Sequence, residues 1–387
     1  MMKNLNNKIL PSYALLLSSI VSSNAYSADI GSKSVSDTYN QAYVINTLVE
    51  GIDVPWAMEQ LPNGDILVSE RAGQLRLIRE GKLLEPEISG LPKIHANGQG
   101  GLLDLALHPQ FEENQWLYFT FASSQGKSAG SNTALMRAKL NLDEMSLEQA
   151  ELLYKGQDNT SKGRHYGSRI AFDDHGFVYF SIGDRGARES KPQSKILDGG
   201  KIYRLHDDGR TPKDNPWQHL AKDNNIKLAT FSYGHRNPQG LAKHPVTGDI
   251  WSHEHGPKGG DEINLVRAGK NYGWPVVSYG VNYSGSKFTE LTQKQGMEQP
   301  LHYWTPSIAP SDMVFVTSDK YPEWQGKLIV GSLKFHYVAL LDIDDKQVLE
   351  QHKVLEDIGR VRSLMQGRDG YIYVGVDGGG IKRIEPQ

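Results

Sequence analysis

The sequence predicts an all-β fold, a six-bladed β-propeller of four-stranded antiparallel sheets. Three observations lead there. The 387 residues include 40 glycines, 18 prolines, 18 tyrosines and 7 tryptophans with 38% apolar residues, the composition of a turn-rich globular chain with ample length for a core. A weak repeat recurs along the chain, each copy a turn followed by an alternating apolar strand. An early strand-like run, Tyr43 to Leu48, is placed to pair with strands of the last copy and so join the two ends of a ring.

Taken in order, the chain opens with Lys3 and Lys8, an apolar stretch from Ile9 to Val21, and small-residue sites at Ser23-Asn24-Ala25 and Tyr26-Ser27-Ala28. This reads as a secretory signal peptide over residues 1–25, with the periplasm as destination in a Gram-negative host. Its apolar core is too short to cross a bilayer, and no later stretch approaches the roughly 20 residues a span requires. Residues 26–41 are polar and expected to be disordered. Residues 42–387 form one domain, since no Pro/Ser-rich or charged linker interrupts the repeat.

The six copies are LPNGDILVSERAGQLRLI from Leu61, HPQFEENQWLYFTFA from His108, FDDHGFVYFSIGD from Phe172, HPVTGDIWSHEHG from His244, YPEWQGKLIVGSL from Tyr321 and GRDGYIYVGVDGGGIKRI from Gly367. Their strands are expected to begin near Ile66, Leu117, Val178, Ile250, Leu328 and Ile372, a spacing of roughly 45 to 80 residues that suits four-stranded blades with inserted loops. His108 and His244, each before a proline, read as turn residues. A β-sandwich with long excursions explains the recurrence less well. Loops at one end of successive blades converge on a central channel, so distant segments can build one pocket.

Composition excludes several functions. A net charge of -3 gives no reason for nucleic acid or an anionic membrane as partner. The absence of cysteine removes disulfides, thiolate catalysis and Cys-ligated metal. No P-loop, no G-x-G-x-x-G ahead of a helix and no G-x-S-x-G elbow is present.

The richest stretch runs from Ser232 to Trp274. Arg236, Asn237 and Gln239 offer directed hydrogen bonds beside Pro238, suiting an anionic or carbonyl-bearing ligand. The segment from Gly256 to Glu262 offers carboxylates and unencumbered carbonyls, the hard oxygens Ca²⁺ takes. The residues alone leave a second reading open, in which HRNPQG and GPKGGDE are only well-made turns. His165, in a polar Gly-flanked loop, is a general base or a surface histidine. His253 and His255 lack a third nitrogen ligand at a supporting spacing and read as structural. Arg236, Lys334, Arg360 and Arg362 are solvated charges singly, and together a clamp for a polyanionic small molecule.

Beyond these physical readings, YGHRNPQGLA, EHGPKGGDEINLV and KNYGWP occur in order between Tyr233 and Pro275. HANGQGGLLDLALHP, HYGSRIAF, SIGDRG, KIYRL, PKDNPW, IAPSDM and RVRSL extend the match over nearly the whole mature chain. The chain resembles the soluble pyrroloquinoline quinone (PQQ) dependent sugar dehydrogenases, especially the aldose sugar dehydrogenases related to soluble glucose dehydrogenase. The resemblance implies a six-bladed propeller that oxidises the C1 hydroxyl of aldoses to lactones by hydride transfer to calcium-bound PQQ, passing electrons to a quinone or other acceptor. It implies His165 as general base and Arg236 as stabiliser of the reduced quinone. It implies cofactor contacts from Gln99, Asp184, Arg236, Asn237, Tyr283, Lys334, Arg360 and Arg362, and calcium contacts from Gly256, Pro257, Glu262 and Tyr272. Arg164 departs from the aspartate that precedes the histidine in soluble glucose dehydrogenases, and the Val276–Pro300 region is too compact for that enzyme's insertions. Glucose preference and dimerisation therefore do not carry over, and a monomer is expected. The alternatives are a calcium-dependent propeller lactonase and a non-catalytic propeller that binds glycans or a protein.

Overall fold

The computed structural model describes Tyr39 and residues 43–387 except positions 221, 223–225 and 345. The signal-peptide segment 1–25 and nearly all of the polar segment 26–41 lie outside the described residues. Among the described residues, 24 strands form six four-stranded antiparallel sheets. In the first blade β2 (Pro55–Gln60), β3 (Ile66–Glu70), β4 (Gln74–Arg79) and β5 (Lys82–Leu83) lie side by side. The second holds β6 (Leu102–Leu107), β7 (Trp116–Ser123), β8 (Asn132–Asn141) and β9 (Ser146–Lys155). The third holds β10 (Ile170–Phe172), β11 (Val178–Ile182), β12 (Lys201–Leu205) and β13 (Thr230–Tyr233). The fourth holds β14 (Pro238–Lys243), β15 (Ile250–Glu254), β16 (Asp261–Leu265) and β17 (His302–Trp304). The fifth holds β18 (Pro310–Phe315), β19 (Leu328–Ser332), β20 (Val338–Asp344) and β21 (Gln347–Val354). The sixth combines β22 (Val361–Gln366), β23 (Ile372–Val376) and β24 (Gly380–Pro386) with β1 (Tyr43–Val49) from the other end of the chain.

That last pairing closes the ring. β1 runs antiparallel to β24, with Tyr43 opposite Pro386 and Val49 opposite Ile381. The first strands of successive blades neighbour one another all the way round, from β2 through β6, β10, β14 and β18 to β22 and back to β2. The expected strand starts fall on the second strand of each blade, at Ile66, Val178, Ile250, Leu328 and Ile372, with Leu117 one residue inside β7.

The core explains the repeat. It consists of clusters that each lie between two neighbouring blades. Along a strand successive side chains point to opposite faces, so a middle strand serves both neighbours. In β19, Leu328 and Val330 join the cluster with the fourth blade while Ile329 joins the cluster with the sixth. In β11, Val178, Phe180 and Ile182 face the second blade and Tyr179 the fourth. His108 and His244 are turn residues as expected: His108 Nδ1 accepts from the Gln110 N–H at 3.0 Å, and His244 Nδ1 from the Val246 and Thr247 N–H groups, each at 3.2 Å.

Antiparallel succession also fixes where the site forms. The connector entering each first strand and the loop leaving each second strand lie at the same end of the blade. Gln99, His165, Arg236 and Asn237 sit on the former, and Asp184, Gly256, Pro257 and Lys334 on the latter. The long excursion between β16 and β17 starts at the opposite end but climbs back along β13. The Tyr233 N–H donates to Lys270 O (3.1 Å), Tyr272 N–H to Tyr233 O (2.9 Å) and Trp274 N–H to Gly234 O (2.8 Å).

Candidate active site

Two adjoining cavities open at this end. The larger, about 720 Å³, is lined by Gln99, His165, Asp184, Arg236, Pro257 and Trp274, with Tyr283 at its rim, 73% exposed. The second, about 470 Å³, shares Gln99 and is lined by Arg71, Asn237, His255, Arg360, Arg362 and Asp377 among others.

His165 is the best-fixed group. Its backbone is left-handed, φ 57°, a conformation uncommon for a non-glycine residue and here held by its surroundings. Enforcement comes from three sides. Its N–H donates to Gln99 Oε1 at 2.7 Å, and the N–H of Gly167 donates to Asn237 Oδ1 at 3.0 Å. Arg185, wholly buried with its guanidinium 3.4 Å from the centre of the Tyr166 ring, donates to the carbonyls of Arg164, Lys162 and Ser131.

Asp184 then sets the tautomer. Its Oδ1 lies 2.6 Å from His165 Nδ1 and 2.7 Å from the Gly186 N–H, and its Oδ2 accepts from Trp274 Nε1 at 3.0 Å. A carboxylate can only accept, so Nδ1 carries the proton and Nε2 keeps its lone pair. No partner of Nε2 occurs among the described residues. Burial lowers the His165 pKa below its ordinary value, and Arg236 adds to this against the hydrogen bond to Asp184. For Asp184 burial would raise the pKa, yet His165 and Arg236 outweigh it and hold the carboxyl below the usual range. The result is a neutral imidazole with a free nitrogen at the cavity, next to a fixed cation.

That cation is Arg236, 6% exposed. Its Nη1 donates to His255 O at 3.0 Å, its guanidinium carbon lies 5.4 Å from the centre of the Trp274 ring, and its backbone N–H donates to Glu254 Oε2. His255 is itself held by Nε2 donating to Pro310 O at 2.6 Å, and burial pushes its pKa down to about 3.

The second cavity is cationic. Asp377 pairs with Arg360 at 2.9 Å and with Arg362 at 3.3 Å. Burial lowers the Arg362 pKa, and Asp377 opposes this while Arg360 and Arg71 reinforce it. Three guanidiniums face one carboxylate. Lys334 lines neither cavity; it is exposed, with Nζ 4.7 Å from the centre of the Phe335 ring.

Beneath Arg236 and Trp274 lies a void of about 10 Å³, lined by Glu254, Gly256, Gly260, Glu262, Tyr272 and Ser278. It has room for about one water-sized occupant. Burial and then the charge of Glu254 push the Glu262 carboxyl up to about 8. Asn264 Nδ2 bridges the pair, 3.2 Å from Glu262 Oε2 and 3.4 Å from Glu254 Oε1. The turn itself is crowded with carbonyls: a Cβ on Gly256 would stand 2.2 Å from Gly259 O and 2.3 Å from Gly260 O. Asp261 ties it down, accepting from the Gly256 N–H at 2.8 Å and from Ser307 Oγ at 2.7 Å. The Tyr272 hydroxyl is turned away, donating to Leu265 O at 2.6 Å and accepting from the Arg267 N–H at 2.9 Å.

Of the site residues expected from sequence, Gln99, His165, Asp184, Arg236, Pro257 and Tyr283 meet at the larger cavity, Asn237, Arg360 and Arg362 at the second, and Gly256, Glu262 and Tyr272 at the small void. Sequence reasoning missed Arg71, Asp377, Glu254 and Trp274. Glu254, between His253 and His255 on a strand, carried a signal; Arg71 and Asp377, in ordinary-looking turns, carried none.

The glucose/sorbosone dehydrogenase family model matches residues 52–383. Aldose sugar dehydrogenase YliI of Escherichia coli K12 is 38% identical over 353 residues, covering 89% of this chain and 93% of the relative. Quinoprotein glucose dehydrogenase B of Acinetobacter calcoaceticus is 29% identical over 333 residues, 79% of this chain and 66% of the relative. The crystal structure of the soluble aldose sugar dehydrogenase from Escherichia coli in its apo form superposes with a TM-score of 0.85 at 36% identity, covering 89% of this chain and all of that one.

Proposed function

The chain belongs to the glucose/sorbosone dehydrogenase family, and from that premise we propose that it is a PQQ- and calcium-dependent dehydrogenase oxidising the C1 hydroxyl of aldoses to lactones. The observation that carries the proposal is the junction of the two cavities at Gln99. On one side stands a neutral histidine with Nε2 free, and on the other a cluster of guanidiniums in excess of carboxylate.

The residues fit the cofactor. PQQ bears three carboxylates on a planar ring system, and Arg71, Arg360 and Arg362 would hold them by charge-assisted hydrogen bonds, with Asn237 and Gln99 at the ring edge. Lactone hydrolysis gives no reason for such a cluster. The carbonyl-lined turn with Glu262 and Glu254 suits a hard cation of about one water's size. Because its phenol is engaged elsewhere, Tyr272 would contribute its carbonyl. The chemistry such a group supplies when bound is acceptance of a hydride, with the metal as Lewis acid.

The protein's own part follows from geometry. Asp184 fixes the imidazole so that Nε2 takes the proton of the C1 hydroxyl. Arg236, pinned by the His255 carbonyl and the Trp274 face, supplies positive charge where negative charge develops. Gln99 joins both cavities and fixes the His165 backbone. We extend the proposal to a periplasmic monomer that passes its electrons to a quinone or other acceptor.

The test is reconstitution of purified protein with PQQ and Ca²⁺, followed by dye reduction with a panel of aldoses and an EDTA control. Activity that requires both additions is expected. Failure to bind PQQ in a direct titration would discard the reading.

A further inference from the structure

Beyond His165, Asp184 and Arg236, the charged groups lining the larger cavity are Lys162, Arg164, Arg188 and Glu189. Its two carboxylates are both partnered, Asp184 through both oxygens and Glu189 through one. Glu189 Oε1 pairs with Arg188 Nε at 2.7 Å, and Asp184 is occupied by His165, Trp274 and Gly186. Lys162 and Arg164, both exposed, have no carboxylate within salt-bridge reach among the described residues.

These two cations converge on one spot. Lys162 Nζ donates to the Gly186 carbonyl at 2.7 Å, and a Cβ on Gly186 would stand 2.7 Å from Arg164 Nε. Gly186 is the residue whose N–H binds the carboxylate that holds His165. Positive charge is thus gathered beside the reacting position. Arg188 occupies another part of the rim, donating to Asn282 Oδ1 at 2.9 Å and lying 4.8 Å from the centre of the Phe288 ring.

Lysine and arginine side chains donate and never accept. A sugar hydroxyl does both, so Lys162 and Arg164 satisfy only its oxygen and leave its proton to other partners. An anionic oxygen only accepts, so it matches this pair in both hydrogen bonding and charge. We infer that the aldose oxidised here carries an anionic substituent, a carboxylate as in a hexuronic acid or a phosphate ester, seated against Lys162 and Arg164 with Arg188 at the rim while C1 lies at His165. The inference rests on the aldose-oxidising reading. The anion itself takes no part in the chemistry.

The experiment compares glucuronate, galacturonate, glucose 6-phosphate, glucose and galactose as substrates of the PQQ- and Ca²⁺-loaded protein at low and high ionic strength. Alongside it, calorimetry measures equilibrium binding of the same sugars with and without PQQ. An anionic sugar is expected to exceed its neutral counterpart about tenfold or more in kcat/KM and affinity at low salt, the ratio shrinking as salt screens the charges. The uronate and phosphate arms identify which anion the site takes. In the Lys162→Gln/Arg164→Gln variant the anionic-to-neutral ratio should fall about tenfold, and Arg164→Glu, which changes the local charge by the same amount, should lower it by a similar factor. Neutral sugars bound and oxidised as well as anionic ones, or a ratio unmoved by Arg164→Glu, would overturn the inference while leaving aldose oxidation standing. No turnover of any sugar with PQQ bound would overturn the function instead. Binding then decides alone: salt-sensitive, Arg164-dependent binding of glucuronate or glucose 6-phosphate keeps the anion site, and its absence ends it.

Discussion

His165 concentrates the chemistry, and its surroundings make separable demands. Burial and Arg236 disfavour the imidazolium, while Asp184 favours it and fixes the tautomer. The net lowering places the acid limb of kcat/KM below the ordinary histidine value of about 6.5; a limb at or above that value in a pH–rate profile would contradict the environment described. For stability the sign is the same. As pH falls below about 6.5 the unfolded chain takes up this proton first, so acid favours unfolding. His165→Ala should lower kcat by a factor on the order of 10² to 10⁴ with PQQ affinity retained, since only proton abstraction is lost. Stopped-flow reduction and a PQQ titration separate the two. Sequence pointed to His165 through its polar, glycine-flanked loop. It could not reveal that Arg185, from the next loop, props that backbone by the Arg164 and Lys162 carbonyls, because such a bond depends on two loops meeting in space.

At the scale of elements, the two loops of the Ser232–Trp274 stretch prove to be neighbours around one cation and one void. The turn chemistry of GPKGGDE was readable, and so were its oxygens. Glu254 was only partly so: its place between two histidines was a signal, but on a strand it resembled core. Its charge is the second cause, after burial, that pushes Glu262 up to about 8. A cation entering the void must displace that proton, so calcium affinity should rise with pH towards about 8 and level off above it. Calorimetric titration across that range tests this, and Glu262→Gln should flatten the dependence. The clamp allows a sharper contrast. Arg362 is largely buried and lines the second cavity, whereas Lys334 is exposed over Phe335. Arg362→Ala should weaken PQQ binding about 10- to 100-fold, the effect of losing a buried charge-assisted contact, and Lys334→Ala distinctly less. Equal losses in fluorescence titrations would mean that the lysine swings into the cavity when PQQ arrives.

For the whole molecule, the repeat was legible because each middle strand is buried on both faces and so keeps a recurrent apolar signature. Most of the inner and outer strands were not separately readable, yet the count of blades followed from the middle strands alone. Closure was legible too, since Tyr43 to Leu48 has no other sheet to join. In the structure Tyr43 is 9% exposed and packs on Tyr321 and Trp324 at ring-centre distances of 5.3 and 4.7 Å. Tyr321 in turn accepts from the Ile372 N–H at 2.8 Å and donates to the Ile384 carbonyl. One aromatic cluster therefore ties the chain's first strand, the fifth blade and the sixth. Tyr43→Ala leaves the β1–β24 hydrogen bonds in place but removes the ring from that cluster, and by the usual cost of large-to-small core changes it should destabilise by about 3 kcal/mol. Cutting the chain after Val49 removes the whole strand, exposes the β24 edge and leaves the sixth blade one strand short. Chemical denaturation should then show a shifted single transition for the point variant. The truncated chain should self-associate, seen by light scattering, because an open propeller presents an unpaired strand that a second copy can pair with.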